Sequence, residues 1–117
     1  GPRLVVGGGW LRDPGYVAIW DVSAEPKMLN RLRRHTDSIS CLAFHPGGQR
    51  LASGSDDMIV RIWDTVTGME AMALAGHRHE VTALNFSPSG RQLLSGSRDG
   101  SVIVWDGSPV AADGLQR

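Results

Sequence analysis

The stretch HTDSISCLAFHPGGQRLASGSDDMIVRIWD, residues 35–64, returns 42 positions later as HRHEVTALNFSPSGRQLLSGSRDGSVIVWD, residues 77–106, without a gap. Of the 30 aligned positions, 13 are identical, among them His35/His77, Ser53/Ser95, Gly54/Gly96, Asp57/Asp99 and Trp63/Trp105. A third Trp-Asp pair, Trp20-Asp21, stands 43 residues before Trp63-Asp64. A fixed period of this length marks a repeat architecture, in which each unit buries its apolar surface against the next.

Within one period the residue types spell strands and turns. Ile39–Phe44 is a short apolar and β-branched run, and His45-Pro-Gly-Gly48 is a turn whose proline fixes φ. Arg50–Ser55 is a second strand, Asp56-Asp57 a tight reversal, and Met58–Trp63 a third strand. Glu70–Leu74 is a weaker fourth. The next period repeats the order at Val81–Phe86, Arg91–Ser97 and Ser101–Trp105. Short strands at this spacing predict an all-β fold of four-stranded antiparallel sheets. Three units follow: a partial one over 1–34 that lacks its innermost strand, a complete one over 35–76, and a third over 77–117 with a weak outer strand and a tail. Alternation is poor in the first two strands of each unit, since Ile39, Cys41 and Ala43 face one way and Leu42 and Phe44 the other. Such a sheet needs cover on both faces, and neighbouring units supply it.

The pattern resembles the WD-repeat β-propeller family, most specifically over residues 35–106. The features that carry it are Gly76-His77 (Arg34-His35 one period earlier), Phe-x-Pro-x-Gly at 44–48 and 86–90, and Ser-Gly-Ser-x-Asp at 53–57 and 95–99. The closing Trp-Asp completes it, with 28 residues from His to Trp in both periods. The resemblance implies four-stranded blades around a central channel. Rings of this kind typically use about 4–8 blades, so roughly three make an incomplete, open ring. The chain is therefore expected to be part of a longer propeller, or else to complete a ring by self-association.

His35, Ser53, Asp57 and Trp63, repeated as His77, Ser95, Asp99 and Trp105, include the side chains of a catalytic triad. In an antiparallel meander, however, the turn holding Asp57 and the connection holding His35 lie at the same end. Ser53 and Trp63 sit on adjacent strands. Indole N–H can donate to serine, serine to histidine, and histidine to the carboxylate. The resemblance implies the same tetrad in a structural role, and the set occurs twice, so the expected role is to satisfy buried polar groups and close each blade.

Other motifs have plainer readings. His77-Arg-His79-Glu80 looks like a metal site, but His77 is used in the tetrad and no further ligand has suitable spacing. His45 reads as a solvated turn residue, and Cys41 as an inert small hydrophobe. Gly7-Gly8-Gly9 lacks the helix that a phosphate-binding loop needs. No cofactor and no metal are expected. Lysine plus arginine and aspartate plus glutamate number 12 each, which argues against a nucleic-acid or anionic-membrane partner. Cys41 is the only cysteine, which suits an intracellular, cytoplasmic setting.

In the first unit Val6 takes the position of the tetrad serine, and the hairpin Gly9–Gly15 is longer, with Trp10, Leu11 and Arg12 at its tip. Trp10 either packs on its own hairpin or serves as an exposed anchor of the kind enriched at binding hot spots. The neighbours of the tetrads share one end of the sheets and differ between periods: Thr36, Asp37, Asp56 and Met58 against Arg78, His79, Glu80 and Arg98. Together with Trp10, Leu11 and Arg12 they form the candidate face for a protein or peptide partner. The expected function is a non-catalytic interaction scaffold, an assembly platform whose loops bind. The alternative is an accessory C-terminal propeller of a larger enzyme or signalling protein, a kinase or NTPase switch, with its catalytic part upstream.

Overall fold

In the computed structural model residues 3–7, 16–22, 25–33 and 35–106 are described. They contain ten strands: β1 Arg3–Gly7, β2 Val17–Asp21, β3 Lys27–Leu32, β4 Ile39–Phe44, β5 Arg50–Ser55, β6 Ile59–Asp64, β7 Glu70–Ala75, β8 Val81–Phe86, β9 Gln92–Ser97 and β10 Val102–Asp106. These form three antiparallel sheets, ordered β1-β2-β3, β4-β5-β6-β7 and β8-β9-β10. The sequence period survives as backbone register. Leu4 lies opposite Trp20, Leu51 opposite Trp63, and Leu93 opposite Trp105. Val6 pairs with Ala18 where Ser53 pairs with Arg61, so the backbone puts Val6 in the serine's register. The described residues form an all-β array of propeller blades that does not close into a ring.

The apolar residues gather in two seams between sheets. In the first, Val17, Ile19 and Leu32 meet Leu51 and Trp63, with Ile39 and Leu42 packed alongside. In the second, Ala52 and Val60 meet Val81 and Leu93, flanked by Cys41, Ile62, Leu74, Leu84, Phe86 and Trp105. Successive residues of a strand point to opposite faces, so β5 sends Leu51 into one seam and Ala52 into the other. All of β5 beyond Arg50 is buried in consequence. The far face of the third sheet has no such cover among the described residues: Leu94 and Val102 are exposed, although the residues 42 positions earlier, Ala52 and Val60, are fully buried. The Ser40 hydroxyl on β4 donates to the Val81 carbonyl on β8, a polar tie across the second seam.

Four expectations need correction. Met58 does not open β6; it sits in the turn with φ 73°, its N–H donating to the Ser55 carbonyl at 3.1 Å. The corresponding residue one period on is Gly100, at φ 86°, so this turn asks for left-handed backbone that glycine adopts without steric cost. Ser101 likewise precedes β10; its N–H donates to the Asp99 carboxylate at 2.9 Å, as that of its counterpart Ile59 does to Asp57, but Ile59 opens β6 through its pairing with Ala75 on β7. Arg91 precedes β9. His45 is no solvated turn residue. Its Nδ1 accepts from the Gly47 N–H at 2.9 Å, which leaves Nε2–H to donate to the Gly90 carbonyl of the next blade at 3.0 Å. Its ring also meets Phe86 edge-on, with centroids 5.2 Å apart.

Candidate functional site

Two polar relays lie at the end of the sheets where β5 turns into β6 and β9 into β10. In the first, Trp63 Nε1–H donates to Ser53 Oγ at 2.8 Å, and Ser53 Oγ lies 2.7 Å from His35 Nε2. His35 Nδ1 lies 2.8 Å from Asp57 Oδ2. The carboxylate can only accept, so Nδ1 carries the proton, Nε2 accepts from the serine hydroxyl, and each proton has one place. Asp57 Oδ2 also accepts from the Thr36 N–H at 2.9 Å, and Oδ1 accepts from the Ile59 N–H at 2.9 Å. Burial opposes ionisation of Asp57, but these donors outweigh it and hold the carboxyl below its ordinary range.

The second relay keeps half of this geometry. Trp105 Nε1–H donates to Ser95 Oγ at 2.8 Å, and Ser95 Oγ lies 2.6 Å from His77 Nε2. The expected bond from His77 to Asp99 is not made. Asp99 Oδ1 instead accepts from the Ser101 hydroxyl at 2.7 Å, and Ser101 Oγ stands 3.5 Å from His77 Nδ1. The reason is local. Ser101 occupies the position of Ile59, and its hydroxyl competes for the carboxylate, whereas the Ile59 side chain has no donor to offer. Those Ser101 bonds, side chain and backbone, hold the Asp99 carboxyl below its ordinary range.

Ser53 and Ser95 are fully buried, and each takes an indole N–H as well as the imidazole contact. A nucleophilic serine must reach a reacting carbon; these hydroxyls sit inside the blade seams, each with its proton committed to a histidine and a lone pair to an indole N–H. Among the described residues no three His, Cys, Asp or Glu side chains converge as metal ligands. No helix there is long and apolar enough to cross a membrane.

Around the relays lies an exposed rim. Thr36, Asp56, Met58, Arg78, His79 and Arg98 are exposed, while Asp37 and Glu80 are half-buried. Arg98 Nη1 reaches Glu80 Oε2 at 3.1 Å, so the charge difference between Asp56 and Arg98 is partly offset within the third blade. Burial, then the carboxylates of Asp37, Glu80 and Asp57, raise the Asp56 carboxyl above its ordinary value, with Arg98 opposing them. The groups that act on Asp56, namely Asp37, Glu80 and Arg98, make one electrostatic neighbourhood with it that spans two blades. Trp10, Leu11 and Arg12 lie outside the described residues.

Some residues at work here carried no expected role. The Ser55 hydroxyl donates to the Ser38 carbonyl at 2.8 Å and accepts from the Asp57 N–H at 3.0 Å, which fixes the turn that aims Asp57. Its identity with Ser97 was the available signal. At the opposite end Asp64 accepts from the Val66 and Thr67 N–H groups at 2.8 and 3.1 Å and from Arg50 at 3.0 Å. The aspartate of the Trp-Asp pair thus caps the turn into β7.

The family model "WD domain, G-beta repeat" matches residues 26–64 and 68–106. Each match takes in the outer strand of one sheet and the first three strands of the next, β3 to β6 and then β7 to β10. Similar curated proteins include a nuclear distribution protein PAC1 of Ajellomyces capsulatus (strain H143), 52% identical over 46 residues, which are 39% of this chain and 10% of that protein. A nuclear distribution protein PAC1 of Komagataella phaffii is 42% identical over 64 residues, 52% of this chain and 13% of that protein. The nuclear distribution protein nudF of Emericella nidulans is 42% identical over 53 residues, 45% of this chain and 12% of that protein. The chain spans about a tenth of the length of the relatives it matches. The two matched segments make up the greater part of the chain, which belongs to the WD domain, G-beta repeat family.

Proposed function

We propose that the chain is one part of a non-catalytic assembly platform, in units 1–34, 35–76 and 77–117, whose relay end carries the contact with a protein partner. The observation that supports this most is the contrast between fixed and free positions in one register. Ser53/Ser95 and Trp63/Trp105 repeat with the same bonds, while the exposed neighbours change character, Asp56 to Arg98 and Thr36 to Arg78. Structural demand ends where the relays end, and the rim is free to be shaped by a partner; mixed charges there give register and selectivity. In this reading both relays brace the blades and do no chemistry. The nuclear distribution proteins similar to this chain make an intracellular platform acting in that process the natural setting.

Asp56→Arg combined with Arg98→Glu, in the full-length protein, is expected to leave the melting curve nearly unchanged, because exposed ion pairs contribute only about 0–1 kcal/mol. The same variant should lose partners that the unaltered protein captures by affinity purification. Undiminished capture, or loss only with substitutions in the opposite turns such as Gln49→Arg or Ser89→Arg, would place the contact elsewhere.

A further inference from the structure

A glycine inside a strand weakens it, and a common reason for one is a neighbour that approaches closely. Gly54 has such a neighbour. A Cβ there would stand 2.6 Å from Val81 Cγ1, on the strand that opens the next sheet, and 2.5 Å from Cys41 Sγ in its own. Gly96 holds the same place 42 positions later, since Gly54 lies opposite Val60 and Gly96 opposite Val102. Among the described residues nothing asks for glycine at Gly96. Ala83 replaces Cys41, and a Cβ would meet only its Cβ, at an ordinary 3.7 Å. Nor is Gly96 among the glycines with left-handed backbone.

A hydroxyl repeats beside each glycine. The ladder shifts between Ile39 and Cys41, a bulge that re-aims Ser40. Its hydroxyl lies 3.2 Å from the Gly54 carbonyl and donates across the seam to the Val81 carbonyl. The same shift recurs between Val81 and Ala83, and the Thr82 hydroxyl lies 3.4 Å from the Gly96 carbonyl. Ser40, Ala52, Gly54 and Val60 thus return as Thr82, Leu94, Gly96 and Val102. The first set carries the third sheet, while Thr82, Leu94 and Val102 are exposed among the described residues.

The filled copy shows what fits the open one. Val81 opens β8 with a β-branched side chain over Gly54 and a carbonyl turned to Ser40. Ile39 opens β4 at the first seam, where β4 packs against β1. The described first sheet has no counterpart of β4 or β8: β1 pairs with β2 as β5 pairs with β6, and nothing described lies inside it. The first sheet of a second copy would therefore leave Gly96 and Thr82 unmet. We propose that the far face of the third sheet receives a further antiparallel sheet of the same polypeptide, outside residues 1–117, whose innermost strand opens with valine or isoleucine. That side chain lies over Gly96, and its carbonyl accepts from Thr82. The inference rests on the reading of the chain as one part of a larger platform, and relatives about ten times the matched length leave room for such a sheet.

The test grows full-length protein with photo-leucine, a diazirine isostere, and locates cross-links from Leu94 by mass spectrometry. Mixing ¹⁵N-labelled and unlabelled protein marks links between copies. The links should reach a strand outside residues 1–117 of the same polypeptide, beside a valine or isoleucine at its start. Gly96→Val drives a branched side chain into that contact and should lower the folded-to-unfolded ratio about tenfold or more in urea unfolding. On an uncovered face the same change would raise the midpoint, because valine favours strand over glycine. An unchanged or raised midpoint overturns the proposal. So does the absence of links from Leu94 to a strand outside residues 1–117, including links confined to residues 107–117 or to a second copy. None of these outcomes touches the relay-end contact, which stands or falls with partner capture by the Asp56→Arg, Arg98→Glu variant.

Discussion

Replacing Gly54 by valine is expected to destabilise the protein by about 3 kcal/mol, the upper part of the range for overpacked cores. A Cβ at this position would lie 2.5 Å from Cys41 Sγ and 2.6 Å from Val81 Cγ1. Val81 is fully buried and belongs to the next sheet, so relief requires the second seam to open. The burial that raises the Cys41 thiol pKa comes from the same close approach. Equilibrium urea unfolding measures the effect as a lower midpoint. A midpoint within error of the unaltered protein would mean that the second and third sheets do not pack as described.

Ser53→Ala should cost about 2–5 kcal/mol, because it strands two buried partners at once. The Trp63 indole N–H loses its acceptor and His35 Nε2 loses its donor, and both side chains lie inside the first seam. Each unpaired group carries a desolvation penalty of about 1–3 kcal/mol, which the missing hydroxyl's small volume does not offset. Ser87→Ala, which removes a hydroxyl bonded to Ser89 and the Gln92 N–H on an exposed turn, should change stability by no more than about 0.5 kcal/mol. Equal losses for the two variants would contradict the relay as a buried network.

The blades were legible because the strongest signals in the chain are periodic. Leu51/Leu93 and Trp63/Trp105 recur at one spacing, and the backbone pairs them as that spacing requires. Met58 misled because methionine followed by Ile-Val-Arg-Ile reads as strand; only its alignment with Gly100 betrays the left-handed turn. Asp99 shows the limit of identity as evidence. The residue repeats but its bond does not, since Ser101 replaces Ile59 beside it. The bond of His45 could not be read from one period at all, because it depends on how two blades meet. His45 reaches Gly90 across the seam, and its counterpart in the next period is Ser87.

The most direct test of the relay as a structural brace is a double-mutant cycle over His35→Ala and Asp57→Ala, read by urea unfolding at several pH values. Asp57 titrates below its ordinary value in the folded chain, with burial opposed and outweighed by bonds from His35, Thr36 and Ile59. A depressed carboxyl stabilises above its unfolded pKa of about 4, and that contribution fades as pH falls through the folded value. The expected coupling is about 0.5–3 kcal/mol at neutral pH, shrinking below about pH 4. His77→Ala with Asp99→Ala should couple less, since Ser101 stands between them. Strict additivity at His35 and Asp57 across the whole pH range would contradict the brace.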